Sequence, residues 1–360
     1  MGKHIPGSAG IGRLSPDCSI SDVIHGEIWR GVTDDFANGR VPAGCTDCMN
    51  RERQTGYSKR KYFYRPNWRS GITFLEVNST NLCPLQCRHC GQHLSHRWAR
   101  QRGAPVHKPD SALLLKNLRE LDLSHLERVA FKGGEPMMNS DVPTVLAHLQ
   151  DIGRLSEVTV VFTTSGSLIR EDVVPWLSAA KRTYFGISID GIDEVQTYIR
   201  HGPSNVARID DFVRFYSQVP RVAFGMQPSV MIYNVFSLDR MAEWWRGLPG
   251  RVPGSVVGGP RFENMVLLPP ELSVRCLSDA TRARLADRYE QLDPKLYANV
   301  VRTLRLPFAG AEIHDQFVHL TRKVDRMFGR PVLESVPELA PELELLGSEA
   351  DPAAGNGASG

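Results

Sequence analysis

The sequence predicts an α/β protein made of parallel β/α units, closed into a barrel or left as an open doubly wound sheet. Two observations carry this. Six strand-like segments alternate with helix-like ones between Ile72 and Leu268. Each Gly-rich or polar motif in that span follows directly on a strand. That puts them together on the C-terminal face, where β/α barrels hold their active sites.

The elements run as follows. Ile72–Asn78 is the first strand, with Phe74, Glu76 and Asn78 on one face by alternation, and a cysteine loop follows it. A helix over Ser111–Leu121 leads to a short strand, Arg128–Phe131, ending in Lys132-Gly-Gly-Glu-Pro136. Val142–Leu149 is helical. Val158–Phe162, all β-branched or aromatic, is the third strand, closed by Thr163-Thr-Ser-Gly-Ser167. A helix over Glu171–Ala179 precedes the fourth strand, Tyr184–Ile189, which ends in Asp190-Gly191. Val206–Gln218 is a helix, Val222–Met231 the fifth strand and Leu238–Arg246 a helix. Phe262–Leu268, closed by Pro269-Pro270, reads as the sixth strand.

From Ser278 the pattern turns helical. Ser278 caps a helix through Arg282, Leu285 and Tyr289. Ile313, Phe317, Leu320, Val324 and Phe328 recur at steps of three and four. This predicts a helical extension that covers the barrel or its open edge. The chain therefore divides into an N-terminal module with a basic linker (1–69), the β/α domain (70–270), a helical extension (271–346) and a tail (347–360) whose composition marks it as disordered.

Composition narrows the class. The 360 residues are 41% hydrophobic, as in globular proteins. No run of eighteen apolar residues exists and the N-terminus has no apolar signal region, so a cytoplasmic protein without a membrane partner is expected. The net charge of +3 says little. Arg51–Arg69 carries seven Lys/Arg with five aromatics, a pattern that can bind nucleic acid or an acidic peptide. It reads here as a solvated linker, so no nucleic-acid partner is expected.

Cysteine carries the chemistry. Cys83, Cys87 and Cys90 stand at C-x3-C-x2-C spacing. Three thiols so close make a poor disulfide framework and an incomplete tetrahedral zinc site. They suit a cubic [4Fe–4S] cluster with three protein ligands and one iron open to another group. On spacing alone, a zinc knuckle stays open. Cys45-Thr-Asp-Cys48 is a second knuckle, for iron–sulfur or zinc, with Cys18 a candidate third ligand. Cys276 reads as a small buried hydrophobe.

Four matches make the chain resemble the radical S-adenosylmethionine (SAM) enzymes: the cysteine loop, Gly133-Gly134-Glu135-Pro136, Thr164-Ser-Gly166, and Ser188-Ile-Asp190-Gly191 followed by Arg200. The resemblance implies a partial (β/α)6 TIM-like barrel. It implies a [4Fe–4S] cluster on Cys83, Cys87 and Cys90 whose free iron chelates SAM, and a 5′-deoxyadenosyl radical as the agent. His89 would lie near the adenine. Gly133, Gly134 and Glu135 would meet the SAM amino group, Thr164 its ribose, and Ser188 and Arg200 its carboxylate. Ser165 stands where similar enzymes have Asn. Cys45–Cys48 with Glu52, Gly56, Ser58 and Arg60 resembles the segment ahead of the barrel in twitch-domain radical SAM proteins. It implies a small auxiliary-cluster module in which Cys18 is the third ligand. Either that cluster keeps an open iron, or Asp17, His25 or a cysteine upstream of this sequence completes it, or the cluster is absent. The implied partners are a substrate peptide or small metabolite and a flavodoxin- or ferredoxin-like electron donor. Glu76, Lys132 and Gln227 are candidates to meet substrate inside the barrel.

Overall fold

The computed structural model describes residues 14–55, 71–248 and 256–344. Its centre is a six-stranded parallel sheet in simple sequence order. The strands are β1 (Phe74–Val77), β2 (Arg128–Phe131), β3 (Thr159–Thr164), β4 (Arg182–Ile187), β5 (Val222–Met226) and β6 (Val256–Val257). No ladder joins β6 back to β1 among the described residues, so the sheet is an open, partial barrel. The crossovers carry α4 (His96–Gln101) and α5 (Ser111–Arg119) after β1, then α6 (Asp141–Asp151) and α7 (Val174–Ala179). Beyond β4 come α8 (Asp193–Ile199), α9 (Val206–Tyr216) and α10 (Leu238–Arg246).

The outer face of the sheet is an aromatic ladder. Phe131, Phe162, Phe185 and Phe224 stand side by side across β2 to β5, with neighbouring ring centroids 5.2, 5.0 and 5.8 Å apart. Phe212 and Tyr216 of α9 pack on Phe185. Strands covered by helices lose water on that face, which is why they read as apolar and aromatic runs. The other face is the barrel interior. Register aligns Glu76, Ala130, Val161, Tyr184 and Ala223 in one row there. Gly225 leaves room for Tyr184, since a Cβ would meet its hydroxyl at 1.7 Å.

One predicted strand is misplaced. Phe262–Leu268 is no ladder strand: Met265 makes an isolated parallel bridge to Val230, and the sixth strand is Val256–Val257. The run is apolar because Phe262 packs on Tyr297 of the C-terminal region at 5.3 Å. Strand β5 also ends five residues earlier than predicted, at Met226.

The extension is helical as expected: α11 (Asp279–Leu292), α12 (Ala298–Leu304), α13 (Ala311–Phe328), α14 (Val332–Ser335) and α15 (Ala340–Glu344). Ser278 caps α11 by accepting from Thr281 N. Glu342 of α15 accepts from Ser278 N at 2.8 Å and Thr281 Oγ1 at 2.6 Å, which folds the C-terminal end back onto that cap. At the other end lie α1 (Ile20–Ile24), α2 (Glu27–Ala37) and α3 (Thr46–Thr55). They reach the domain where Ile20 N donates to Asn117 Oδ1 of α5 at 2.7 Å. Most of the predicted basic linker (56–70) and the predicted tail lie outside the described residues.

Candidate active site at the C-terminal mouth of the sheet

The cysteine loop follows β1 and is held on both flanks. On one side, Gly134 N donates to Thr80 O at 3.0 Å and Glu135 N to Leu82 O at 2.6 Å. On the other, Gln86 N donates to His201 O at 2.7 Å and Arg88 N to Ile199 O at 2.8 Å. The loop thus runs between the turn after β2 and the end of α8. This explains the paired glycines. A Cβ on Gly134 would stand 2.1 Å from Leu82 O, and one on Gly133, at φ +99°, 2.0 Å from Asn78 Oδ1. The missing side chain of Gly134 admits the cysteine loop's own backbone, and that of Gly133 admits the Asn78 side chain.

Inside the loop the polar groups are bound. Asn81 is fully buried; its amide donates to Gln92 O at 2.9 Å and accepts from His107 N at 2.8 Å. Cys83 N donates to His96 Nδ1 at 3.0 Å, and Trp98 Nε1 to Cys87 O at 2.9 Å. These bonds fix the backbone on which the three thiols pack together.

Cys83 and Cys87 are buried with Leu85, and Cys90 packs against them. Burial pushes the Cys83 thiol up, and the nearby Cys87 and Glu135 add to it. The hydrogen bond to Cys90, then burial, pushes Cys87 well up, while the same bond draws Cys90 down. Even with Arg200 nearby, therefore, the site disfavours two of its three thiolates. Arg200 is the counter-charge in reach. Burial works against its charge, but Asp190, Cys87 and Cys90 outweigh that and hold it above its ordinary value.

Asp190, at the tip of β4, organises this corner. It is fully buried, and its Oδ2 lies 2.8 Å from Arg200 Nε and 3.6 Å from His89 Nε2. Ser229 N donates to its Oδ1 at 2.7 Å. Its own backbone is fixed by Gln196 Oε1 and Asn234 Nδ2, both at 2.9 Å. Burial pulls the His89 imidazole down, opposed by Asp190. His89 Nδ1 is buried without a hydrogen-bond partner among the described residues. A buried polar atom left open is expected to meet a ligand or water.

The structure assembles Cys83, Cys87, Cys90, His89 and Arg200 at one place. Ser188, whose N donates to Thr164 O at 2.8 Å, lies at the adjoining end of β4. Glu135 and Thr164 meet each other instead of an open cavity. The Glu135 carboxylate accepts from Thr164 Oγ1 at 2.5 Å, Ser165 N at 2.8 Å, Ser165 Oγ at 2.6 Å and Met137 N at 3.2 Å. It is 1% exposed, so it links the β2 and β3 turns and starts the 3₁₀ turn at Pro136.

The interior candidates share the concave face. Lys132 Nζ, half-buried, lies 2.6 Å from Oε2 of the exposed Glu76, and Thr163 Oγ1 is 3.5 Å from Gln227 Oε1. Cys276 is buried under α13; burial pushes its thiol up to about 12, and its Sγ donates to Pro270 O at 3.1 Å. It is a packing residue.

The N-terminal cysteines are looser. Cys45 and Cys48 are neighbours: burial first and Cys48 second push the Cys45 thiol up. Cys18 closes a small turn with Ser15 and is half-buried. His25 Nδ1 pairs with Ser21 O at 2.9 Å within its own turn. Among the described residues, no three His, Cys, Asp or Glu side chains converge on a single ion, here or at Cys83, Cys87 and Cys90. A cubic cluster spreads its ligands over several irons, so the second group does not need such convergence.

Sequence reasoning named Asp190 as part of a motif but gave it no task. The signal available was its place: a carboxylate at a strand's C-terminal end, ten residues before an arginine.

Fold and site together define a β/α protein that gathers three thiols, a guanidinium and an imidazole at the mouth of an open parallel barrel. Residues 77–222 match the model of the radical SAM superfamily, so this stretch of the chain is a radical SAM domain. The superfamily's members are enzymes that work with a [4Fe–4S] cluster and SAM. Among curated relatives, Fe-coproporphyrin III synthase of Methanosarcina barkeri is 30% identical over 125 residues, covering 34% of this chain and 28% of that one. PqqA peptide cyclase of Xanthomonas oryzae pv. oryzae is 27% identical over 114 residues, covering 32% and 28%. The chain thus spans under a third of either relative's length. A solved structure of Streptococcus suis SuiB bound to precursor peptide SuiA aligns at 14% identity and a TM-score of 0.38, over 74% of this chain and 60% of that one.

The residues present fit the superfamily's cofactors. Soft thiol donors lie in one buried loop, a guanidinium faces them, and an unpartnered imidazole nitrogen lies beside them.

Proposed function

We propose that this chain is a radical SAM enzyme that abstracts hydrogen from a C–H bond of a peptide or natural product. The buried thiol loop facing the Arg200–Asp190 pair carries this reading. Cys83, Cys87 and Cys90 would hold the cluster through their thiolates. Bound there, cluster and SAM would supply the one-electron chemistry that yields a 5′-deoxyadenosyl radical. Arg200, oriented through its Nε by Asp190, would present its remaining edge to the SAM carboxylate, with Ser188 beside it. His89 would offer its open Nδ1 to the nucleoside end. The backbone of Gly133 and Gly134 would face the SAM amino group. The interior face with Glu76, Lys132, Tyr184 and Gln227 would position the bond to be broken.

The sequence relation to a peptide cyclase supports the peptide substrate. The relation to a coproporphyrin synthase favours a second reading, a small metabolite oxidised or epimerised. Seven free thiols suit a reducing cytoplasm and a flavodoxin- or ferredoxin-like donor. Residues 1–69 would form an auxiliary module, with Cys18, Cys45 and Cys48 on a second cluster. The helical region after 270 would cap the site's outer side.

Anaerobic reconstitution with iron and sulfide tests the assignment. The expected result is iron–sulfur absorbance and SAM cleavage to 5′-deoxyadenosine with dithionite, lost in Cys83→Ala. Tightly bound zinc with no 5′-deoxyadenosine would sink it.

A further inference from the structure

Arg88 sits between two of the three loop cysteines, yet its side chain turns away from them. It is 2% exposed. Its Nη1 lies 2.9 Å from Asp325 Oδ1, its Nε donates to Tyr198 O at 2.9 Å, and its guanidinium lies 3.6 Å above the Tyr198 ring. Asp325 belongs to α13, more than two hundred residues away in sequence. It is itself fixed, accepting from Tyr198 OH at 2.9 Å and Val332 N at 2.7 Å. Phe328, one turn further on, packs on Trp98 at 5.7 Å, and Trp98 holds the Cys87 carbonyl.

A buried guanidinium is tolerated when paired and hydrogen-bonded, and breaking such a pair strands a charge. Arg88 therefore cannot shift without Asp325, and Cys87 and Cys90 cannot shift far without Arg88. We propose that Arg88 and Asp325 are positioning residues: a clamp by which α13 fixes the backbone that carries Cys87 and Cys90. Helix α13 then belongs to the ligand loop's scaffold and is more than a cover. This rests on the reading of the cysteines as cluster ligands for its purpose, but not for its test.

The test uses the full chain in its cluster-free form. Iodoacetamide labelling is followed peptide by peptide, with Cys276, which is packed under the same helix, as the internal control. In the paired variant Arg88→Met/Asp325→Asn no charge is stranded. We expect Cys87 to be alkylated at least about tenfold faster while Cys276 changes less than about twofold, the mark of local rather than global opening. Arg88→Lys keeps the charge but loses the planar fork, and gives an intermediate ratio. If the paired variant does not fold, that lysine variant decides by the same ratio. Equal acceleration at both cysteines, or none at Cys87, overturns the clamp. Iron uptake by the wild-type chain is scored separately. No uptake would end the cluster reading while the labelling ratio still decides the clamp.

Discussion

Two groups of three cysteines stand in this chain, and their surroundings differ more than their spacings. Cys83, Cys87 and Cys90 lie in a loop bound to the turn after β2 on one flank and to the end of α8 on the other. Cys18, Cys45 and Cys48 lie on or beside short helices, and α1 and α2 bury none of their residues. The first group is gathered before any ligand arrives. In the second, Cys45 and Cys48 are neighbours, and Cys18 closes its own turn with Ser15. Preorganisation lowers what a ligand must supply to order its site. A cluster at the first group completes a site; at the second it would have to build one.

The largest expected effect separates the two groups directly. Cys83→Ala should abolish 5′-deoxyadenosine formation, while Cys45→Ala keeps cleavage within about twofold, because an auxiliary site is not needed for the first electron transfer. Loss of cleavage in both variants would erase the distinction. Iron in the Cys83/Cys87/Cys90 triple alanine variant sharpens it: roughly four irons per chain support a second cluster, and none removes it.

Next comes ligand recognition at the gathered site. Arg200→Lys keeps a positive charge beside Asp190 but loses the planar fork. SAM affinity should fall about tenfold, roughly 1.4 kcal/mol, with iron content unchanged. Isothermal titration on reconstituted protein checks this. Unchanged affinity would leave Arg200 a structural partner of Asp190 alone.

The fold was legible in the sequence wherever strands are buried on the helix side. Val158–Phe162 and Arg128–Phe131 could scarcely be anything else, since β-branched and aromatic runs between turn residues have few other uses. The sixth strand was misplaced because Phe262–Leu268 has the same composition for another reason: it packs on Tyr297 and pairs at one residue. At the site, the ligating residues were legible because short spacing brings them together. Their supports were not. Glu135 meets Thr164 and Ser165 about thirty residues on, and Arg88 meets Asp325 across the whole domain. Such pairs depend on which loops the finished fold lays side by side, which no local pattern encodes. The glycines show the same limit. The sequence placed them at a turn, while the structure shows what occupies the space they leave.

A pair of glycine substitutions sets the gathered region against the loose one at smaller scale. Gly134→Ala places a Cβ 2.1 Å from Leu82 O, a backbone atom that cannot rotate away. The two loops must part, weakening the bonds to Thr80 O and Leu82 O, and stability should fall by about 1–3 kcal/mol, as for an overpacked core. A thermal melt of the cluster-free chain reads it. Gly31→Ala is its opposite. Gly31 lies inside α2 with nothing within 4 Å of its Cβ position, so alanine meets no obstacle and removes a flexible residue from a helix. The helix should gain about 0.5–1 kcal/mol, seen as roughly two- to fivefold slower amide exchange confined to α2. Because α2 buries none of its residues, that gain should stay local and leave the melting temperature of the barrel where it was. A melting temperature that rises with Gly31→Ala would show that the N-terminal helices unfold together with the barrel, and the two cysteine groups would then share one cooperative structure.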